Sequence, residues 1–225
     1  MRGKDADRWK SIFPTYVLMT QDPQKRVGYN ESWMKTHLPR TYLYLLQFKD
    51  NLLSRKSRVL SKDPFYSLYG VNSDTFASFK VIWGRVANEV KACVVSIKDD
   101  KYLGRKPLVP FEAMMIPFSD GDESFYVCAL INSSPARLTI RAYIVLHPDT
   151  HVLDNIQIPK YEEQNSLHRE LSQLSQKAHK LAAKGEEAKA ELKMVEEEID
   201  QKAAELWGIT EEELNDIKNS LKELS

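Results

Sequence analysis

A chain of 225 residues, 42% of them hydrophobic and including ten Tyr, eight Phe and four Trp, can build a real core, which excludes intrinsic disorder. It has no run of about 18 apolar residues to span a membrane, and the start MRGKDADRWKSIF lacks the apolar stretch of a signal peptide, so a cytoplasmic protein is expected. The net charge of zero hides an asymmetry: residues 1–106 hold 20 Lys and Arg against 10 Asp and Glu, residues 107–225 hold 12 against 22, and only the first half suits a polyanionic partner.

In residues 1–110 helix and strand are mixed. Pro39 to Arg55 reads as one helix, because Pro39 suits a first turn and Tyr42, Leu45, Leu46, Lys49 and Leu53 recur at three- and four-residue spacing. Phe79–Trp83 and Ala92–Ile97 are short, β-branched and bounded by polar residues, as strands are, with a turn expected at Ala87-Asn88. Asp99-Asp100-Lys101 and Gly104-Arg105-Lys106-Pro107 mark a basic loop. From 111 to 160, Ala113–Phe118 is an expected strand. Asp122 is a candidate N-cap for the helix SFYVCALINS, Ser134-Pro135 opens a second helical stretch, and Asn155–Pro159 reads as a short edge strand. Residues 161–225 are helical. Leu167, Leu171, Leu174, Ala178 and Leu181, then Leu192, Val195, Ile199, Ala203 and Leu206, form a heptad-like stripe interrupted at Gly185. Gly208 ends the run, and Thr210 to Glu213 is a capping box for a last helix with Leu214, Ile217, Leu221 and Leu224 on one face.

Catalytic motifs are missing. Eight glycines never fall in G-x-G spacing, so no turn for S-adenosylmethionine is visible. No Pro-Pro pair exists to hold an extruded base, and no G-x-x-x-x-G-K-[ST] loop to cradle a nucleotide. Cys93 and Cys128 stand apart in apolar surroundings and read as buried reduced thiols. His147 and His151 are separated by Pro148, which spoils a helical ligand pair. Asp149, Asp154 and Lys160 lack the acid-x-Lys strand pattern of a nuclease. No catalytic or metal-binding residue is therefore predicted.

Surface recognition remains. Arg55, Lys56 and Arg58, with Lys62 soon after, form a basic cluster leaving the first clear helix. It serves either to offset the helix dipole or to contact phosphates. Lys80, Arg85 and Lys91 lie on or beside strands. Lys98, Lys101, Arg105 and Lys106 decorate a loop able to enter a groove, where Arg can read guanine through a bidentate pair.

Several motifs occur together in one order. Tyr42, Tyr44, Leu45, Leu52 and Arg55 precede Pro64-Phe65-Tyr66, then Phe76, Phe79-Lys80-Val81 and Trp83. Leu130, Asn132 and Ser133 follow within FYVCALINSSPARLTIRAY, then NIQIPKY (155–161) and a helical tail from His168. This order resembles the target-recognition region, the TaqI-like specificity region, of adenine-N6 DNA methyltransferases and fused restriction–modification enzymes, from about Trp9 onward. The resemblance implies an α+β fold, a mixed sheet with packed helices followed by a long helical hairpin or coiled-coil-like tail. It implies a DNA target-recognition domain over 1–160 and a docking or dimerising tail over 161–225. It also implies sequence-specific binding of double-stranded DNA, with S-adenosylmethionine held on a methyltransferase catalytic domain or subunit outside this chain. The DNA-contacting residues expected are Arg55, Lys56, Arg58, Lys62, Lys80, Arg85, Lys101, Arg105 and Lys106. The competing expectation is an assembly module acting through the heptad tail without DNA. An autonomous enzyme is the third.

Overall fold

In a computed structural model the chain is described over residues 2–12, 15–22, 24, 26–56, 64–85, 89–100, 102, 104–110, 113–143 and 150–224. It folds as two units, one made of Met1–Pro14 with Ala77–Ser225, the other of Thr15–Phe76 inserted between them. The expected boundary at residue 160 does not coincide with this division.

The larger unit opens with a minimal ribbon, β1 (Ala6–Asp7) paired antiparallel with β2 (Lys10–Ser11). Its turn holds Trp9 at φ 61°, a left-handed conformation that costs a bulky residue energy. The cost is offset because Trp9 is anchored on all sides. Its ring is buried, its backbone N–H donates to Ala92 O at 3.1 Å, and its indole Nε1 donates to Glu196 at 2.8 Å.

The inserted unit carries a second short ribbon, β3 (Gln21–Asp22) with β4 (Val27–Gly28), and three helices. These are α1 (Glu31–His37), α2 (Pro39–Leu46) and α3 (Lys49–Leu53). The single helix expected from Pro39 to Arg55 is therefore broken. Gln47 and Phe48 turn back to Tyr44 and Leu45 with i→i−3 bonds of 3.2 and 3.0 Å, which tighten and end α2. Helix α1 had no place in the periodicity because it buries only Met34. Asn30 caps it by accepting from Ser32 N–H at 2.9 Å, and Leu38, pushed out of helical geometry by Pro39, ends it. Met34, Tyr42, Leu45, Phe65 and Tyr66 make the core of this unit.

Returning to the larger unit, β5 (Phe79–Gly84), β6 (Cys93–Asp100), β7 (Gly104–Pro107) and β8 (Ala113–Phe118) form one antiparallel sheet in the order β7-β6-β5-β8. Asp99 and Arg105, expected in a loop, pair opposite each other in the β6–β7 hairpin. The expected turn at Ala87-Asn88 lies outside the described residues. Both faces of the sheet centre are covered, so β5 is apolar almost throughout. Val81 and Trp83 face the helices, while Ile82 packs with Cys93 and Val95 on the other side. Cys93 and Cys128 are free and buried.

Helix α4 (Gly121–Asn132) is capped by Asp120, which accepts from Glu123 N–H at 2.9 Å. Asp122, the expected cap, instead accepts from Ser172 Oγ and Gln176 Nε2 at 3.2 and 2.9 Å. Every residue from Tyr126 to Asn132 is buried. Helix α5 (Ser134–Tyr143) follows at once, and its first N–H and the Ser134 hydroxyl both donate, at 2.6 Å, to Asp200 from a distant helix. The stretch 155–160 is not a strand. Its carbonyls accept from side chains, Gln157 from the Trp207 indole at 2.8 Å and Pro159 from the Tyr126 hydroxyl at 3.1 Å.

The tail is a hairpin of α6 (Ser166–Lys184) and α7 (Lys189–Trp207), closed by α8 (Glu211–Glu223). Ion pairs Glu170–Lys202 at 2.8 Å and Lys177–Glu191 at 3.8 Å fix the antiparallel register. Gly185 at φ 77° makes the turn, and Thr210 and Glu213 form the expected capping box. The heptad-like stripe is spent internally. Leu171, Ala178, Leu181, Val195, Ile199 and Ala203 are buried in the same core as α4 and the sheet. No described helix is long and apolar enough to cross a membrane.

His179 ties the hairpin to the sheet. Its Nδ1 donates to Ser175 O at 2.7 Å, so Nε2 accepts from Val94 N–H at 2.9 Å, between the ring edges of Trp9 and Phe125. Desolvation pulls its pKa from 6.5 to about 4. The unfolded chain therefore binds a proton here that the folded chain refuses, and stability drains away as pH falls from 6.5 towards 4. His179→Leu is expected to lower stability at pH 7 by about 1–3 kcal/mol, by orphaning the Val94 N–H. It should also flatten the acid dependence over that window, both read from denaturant unfolding at a series of pH values.

Candidate nucleic-acid interface

The nine basic residues expected at DNA have different fates, decided by what surrounds each head group. Arg55 leaves α3 with its guanidinium turned inward. Nε donates to Leu52 O at 2.7 Å, and the two terminal nitrogens to Ser67 O at 2.9 Å and Phe65 O at 2.6 Å. This side chain staples the end of α3 to the Phe65–Ser67 segment, using the planar donor fork that only Arg provides.

Lys80 has no exposed surface. Its place on β5 puts it under the sheet, where Nζ donates to Ala77 O at 2.6 Å, and burial pulls its pKa down to about 8. A DNA contact from Lys80 is incompatible with this position. Both faces of the strand are covered at this point, with Val81 and Ile82 buried beside it.

Lys56 and Arg85 are exposed, one just beyond α3 and the other just beyond β5. Lys91 is held by Glu89 at 3.1 Å. Arg58, Lys62 and Lys101 lie outside the described residues. For Arg105 and Lys106 only the backbone is described, in β7, where Lys106 pairs with Lys98 and Arg105 with Asp99. The hairpin thus sets the Arg105-Lys106 pair of β7 opposite Asp99 and Lys98 of β6, a mixed and not a uniformly basic pairing.

Several of the motif residues are structural, although Tyr44 is exposed. Tyr42, Phe65 and Tyr66 make the inserted unit's core. Asn132 is buried and closes a two-bond pair with Ala92, Oδ1 accepting from its N–H at 2.9 Å and Nδ2 donating to its carbonyl at 2.8 Å, as one strand would with another. Ser133 donates to Leu130 O at 2.7 Å, ending α4.

Two further places gather ionisable side chains. A cleft of about 530 Å³ in the larger unit is lined by Arg8, Arg137, Glu196, Asp200 and Lys218. Its charges are answered locally: Arg8 pairs with Glu89 and Glu196 at 3.6 and 3.5 Å, Arg137 with Glu89 at 3.1 Å, and Lys218 with Asp200 at 3.7 Å. His151 and Asp154 meet at 3.0 Å on the surface, while His147 and Asp149 lie outside the described residues. Among the described residues no three His, Cys, Asp or Glu side chains gather as a metal site.

No protein-family profile matches the chain. It is similar to the type II methyltransferase M.NspV of Nostoc sp. (strain ATCC 29411 / PCC 7524), with 27% identity over 123 residues. That alignment takes in 54% of this chain and 24% of the relative, so the chain matches about a quarter of that protein's length. The relation is a distant one to type II methyltransferases.

Lys80→Met is expected to raise stability at pH 7 by about 1–2 kcal/mol, since an apolar side chain of similar length removes a buried charge. The folded pKa is depressed, so the unfolded chain binds more protons and the wild type gains stability as pH rises from about 8 towards 10.5. The advantage of Lys80→Met should shrink over that range, as unfolding at pH 7 and pH 10 would show.

Proposed function

We propose that the chain is a sequence-specific duplex-DNA recognition module of an adenine-N6 DNA methyltransferase or restriction–modification enzyme. It would act with a methyltransferase catalytic domain or subunit that holds S-adenosylmethionine. The observation that carries this reading is the similarity to a type II methyltransferase over 54% of the chain, and the motif order from Tyr42 to the helical tail supports it separately. The surplus of ten positive charges in residues 1–106 supplies the electrostatic attraction. Lys56 and Arg85 are the exposed phosphate-contact candidates, and the β6–β7 hairpin, with Arg105 and Lys106 on β7, is the candidate groove-reading element. The alternative of assembly through the heptad stripe loses its motivation, because that stripe is covered by the chain's own core.

Binding of the full chain to random-sequence duplex tests the reading. Affinity is expected to fall linearly, on logarithmic axes, as salt rises. Lys56→Ala and Arg85→Ala should each weaken binding evenly across sequences and lower the salt slope by about 1. No affinity, or affinity indifferent to salt, would overturn it.

A further inference from the structure

Along Glu31–His37 and the residue before its cap, Tyr29, Trp33 and His37 stand four apart and share one side of the helix. Their rings form a ladder. Tyr29 and Trp33 stack with centroids 4.3 Å apart and planes at 24°, Trp33 and His37 at 4.6 Å and 15°. Trp33 remains 38% exposed, so its edge is in solvent although both faces are occupied.

Ring ladders left in water invite explanation, because burying them would stabilise the fold. Here the ladder flanks an open cleft of about 620 Å³ within the inserted unit. Val27, Gly28 and Pro64 add to the lining, and Asp22 and Asn30 bring polar atoms. The cleft is held in shape before anything binds. Tyr29 N–H donates to Thr20 O at 2.9 Å, and the Tyr66 hydroxyl donates to Tyr29 O at 2.6 Å. Gly28 N–H donates to Ser67 Oγ at 3.2 Å, an approach so close that a Cβ on Gly28 would lie 2.5 Å from that oxygen.

Charge adds a second, independent observation. Residues 15–76 carry nine Lys and Arg, of which Arg55 is turned inward and Lys35 is paired with Glu31, against five Asp and Glu, and the same unit leaves Tyr16, Tyr44, Phe48 and Tyr69 exposed. Cationic surface interleaved with exposed aromatic rings is the combination that binds unpaired nucleic acid, since bases stack on rings while the backbone meets positive charge. An apolar protein partner would not call for the positive surplus.

We propose that the Tyr29–Trp33–His37 ladder and its cleft form a stacking site for a single unpaired nucleobase of DNA. This rests on the DNA-recognition reading above and adds a ligand that duplex contacts do not supply. The base enters as another flat ring at the Tyr29 end of the ladder, which Trp33 backs, with the exposed Trp33 edge, Val27 and Pro64 completing its apolar surroundings. Stacking is indifferent to base identity, so the site strengthens binding wherever a base is unpaired and contributes nothing to reading sequence.

The test uses the full chain and two labelled probes of equal length, a thymidine single strand and a random-sequence duplex, followed by fluorescence anisotropy. Trp33→Ala is expected to weaken single-strand binding about tenfold or more while leaving duplex binding within about twofold. Trp33→Phe, which keeps a ring between Tyr29 and His37, should restore most of the loss. Val27→Glu sets a carboxylate at an exposed position of the cleft and should produce the same selective loss, deciding the matter if Trp33→Ala does not fold. Should both variants bind the single strand as the wild type does, while duplex binding stays salt-dependent, the stacking site is refuted and the duplex reading stands. Should the wild type bind neither probe, both fall.

Discussion

Helix α4 has no polar side beyond its first turn, and everything in the larger unit follows from having to surround it. A helix apolar all round can be stable in water only inside other elements. The sheet covers it with Val81, Trp83 and their neighbours, and the α6–α7 hairpin covers the rest with Leu171, Ala178, Val195 and Ile199. Asn132, at the end of this buried helix, would be costly there without partners. It finds both in the backbone of Ala92, and so locks the helix to the strand that begins one residue later. Ser124 and Asp122 at the opposite end face backbone and α6 polar groups. The tail therefore contributes to the same core as α4 and the sheet.

What could be read from the sequence divides along the reach of the interaction involved. The strands 79–83 and 113–118, the turn at Gly185, the capping box at Thr210 and the apolar stripe of the tail each depend on neighbours a few residues away, and all are found. The partner of that stripe was not legible. Heptad spacing says that a face must be covered, but not that a helix forty residues earlier covers it. The Asn155–Pro159 segment misled because its apolar alternation is real, yet its carbonyls are taken by Trp207 and Tyr126 from far along the chain. Helix α1 buries only Met34, and one buried residue makes no stripe, so periodicity does not reveal it.

The basic residues show the same limit in the candidate interface. Arg55 and Lys80 carry the charge that DNA contacts need, but sequence does not show the three carbonyls around one or the covered sheet face over the other. Charge counts speak to the field of a whole region, and only the fold decides which cations contribute to it. Lys56 and Arg85 keep that role open; Lys91 shares the Glu89 carboxylate with Arg8 and Arg137.

The insertion of residues 15–76 has an evolutionary corollary. Both ends of the segment return to the same unit, where β1 packs beside β5, and the inserted unit carries a core of its own in Met34, Tyr42, Leu45, Phe65 and Tyr66. A module with a core of its own can be exchanged, shortened or replaced by recombination. Drift in the inserted unit is thereby decoupled from the constraint that α4 imposes on the rest of the chain.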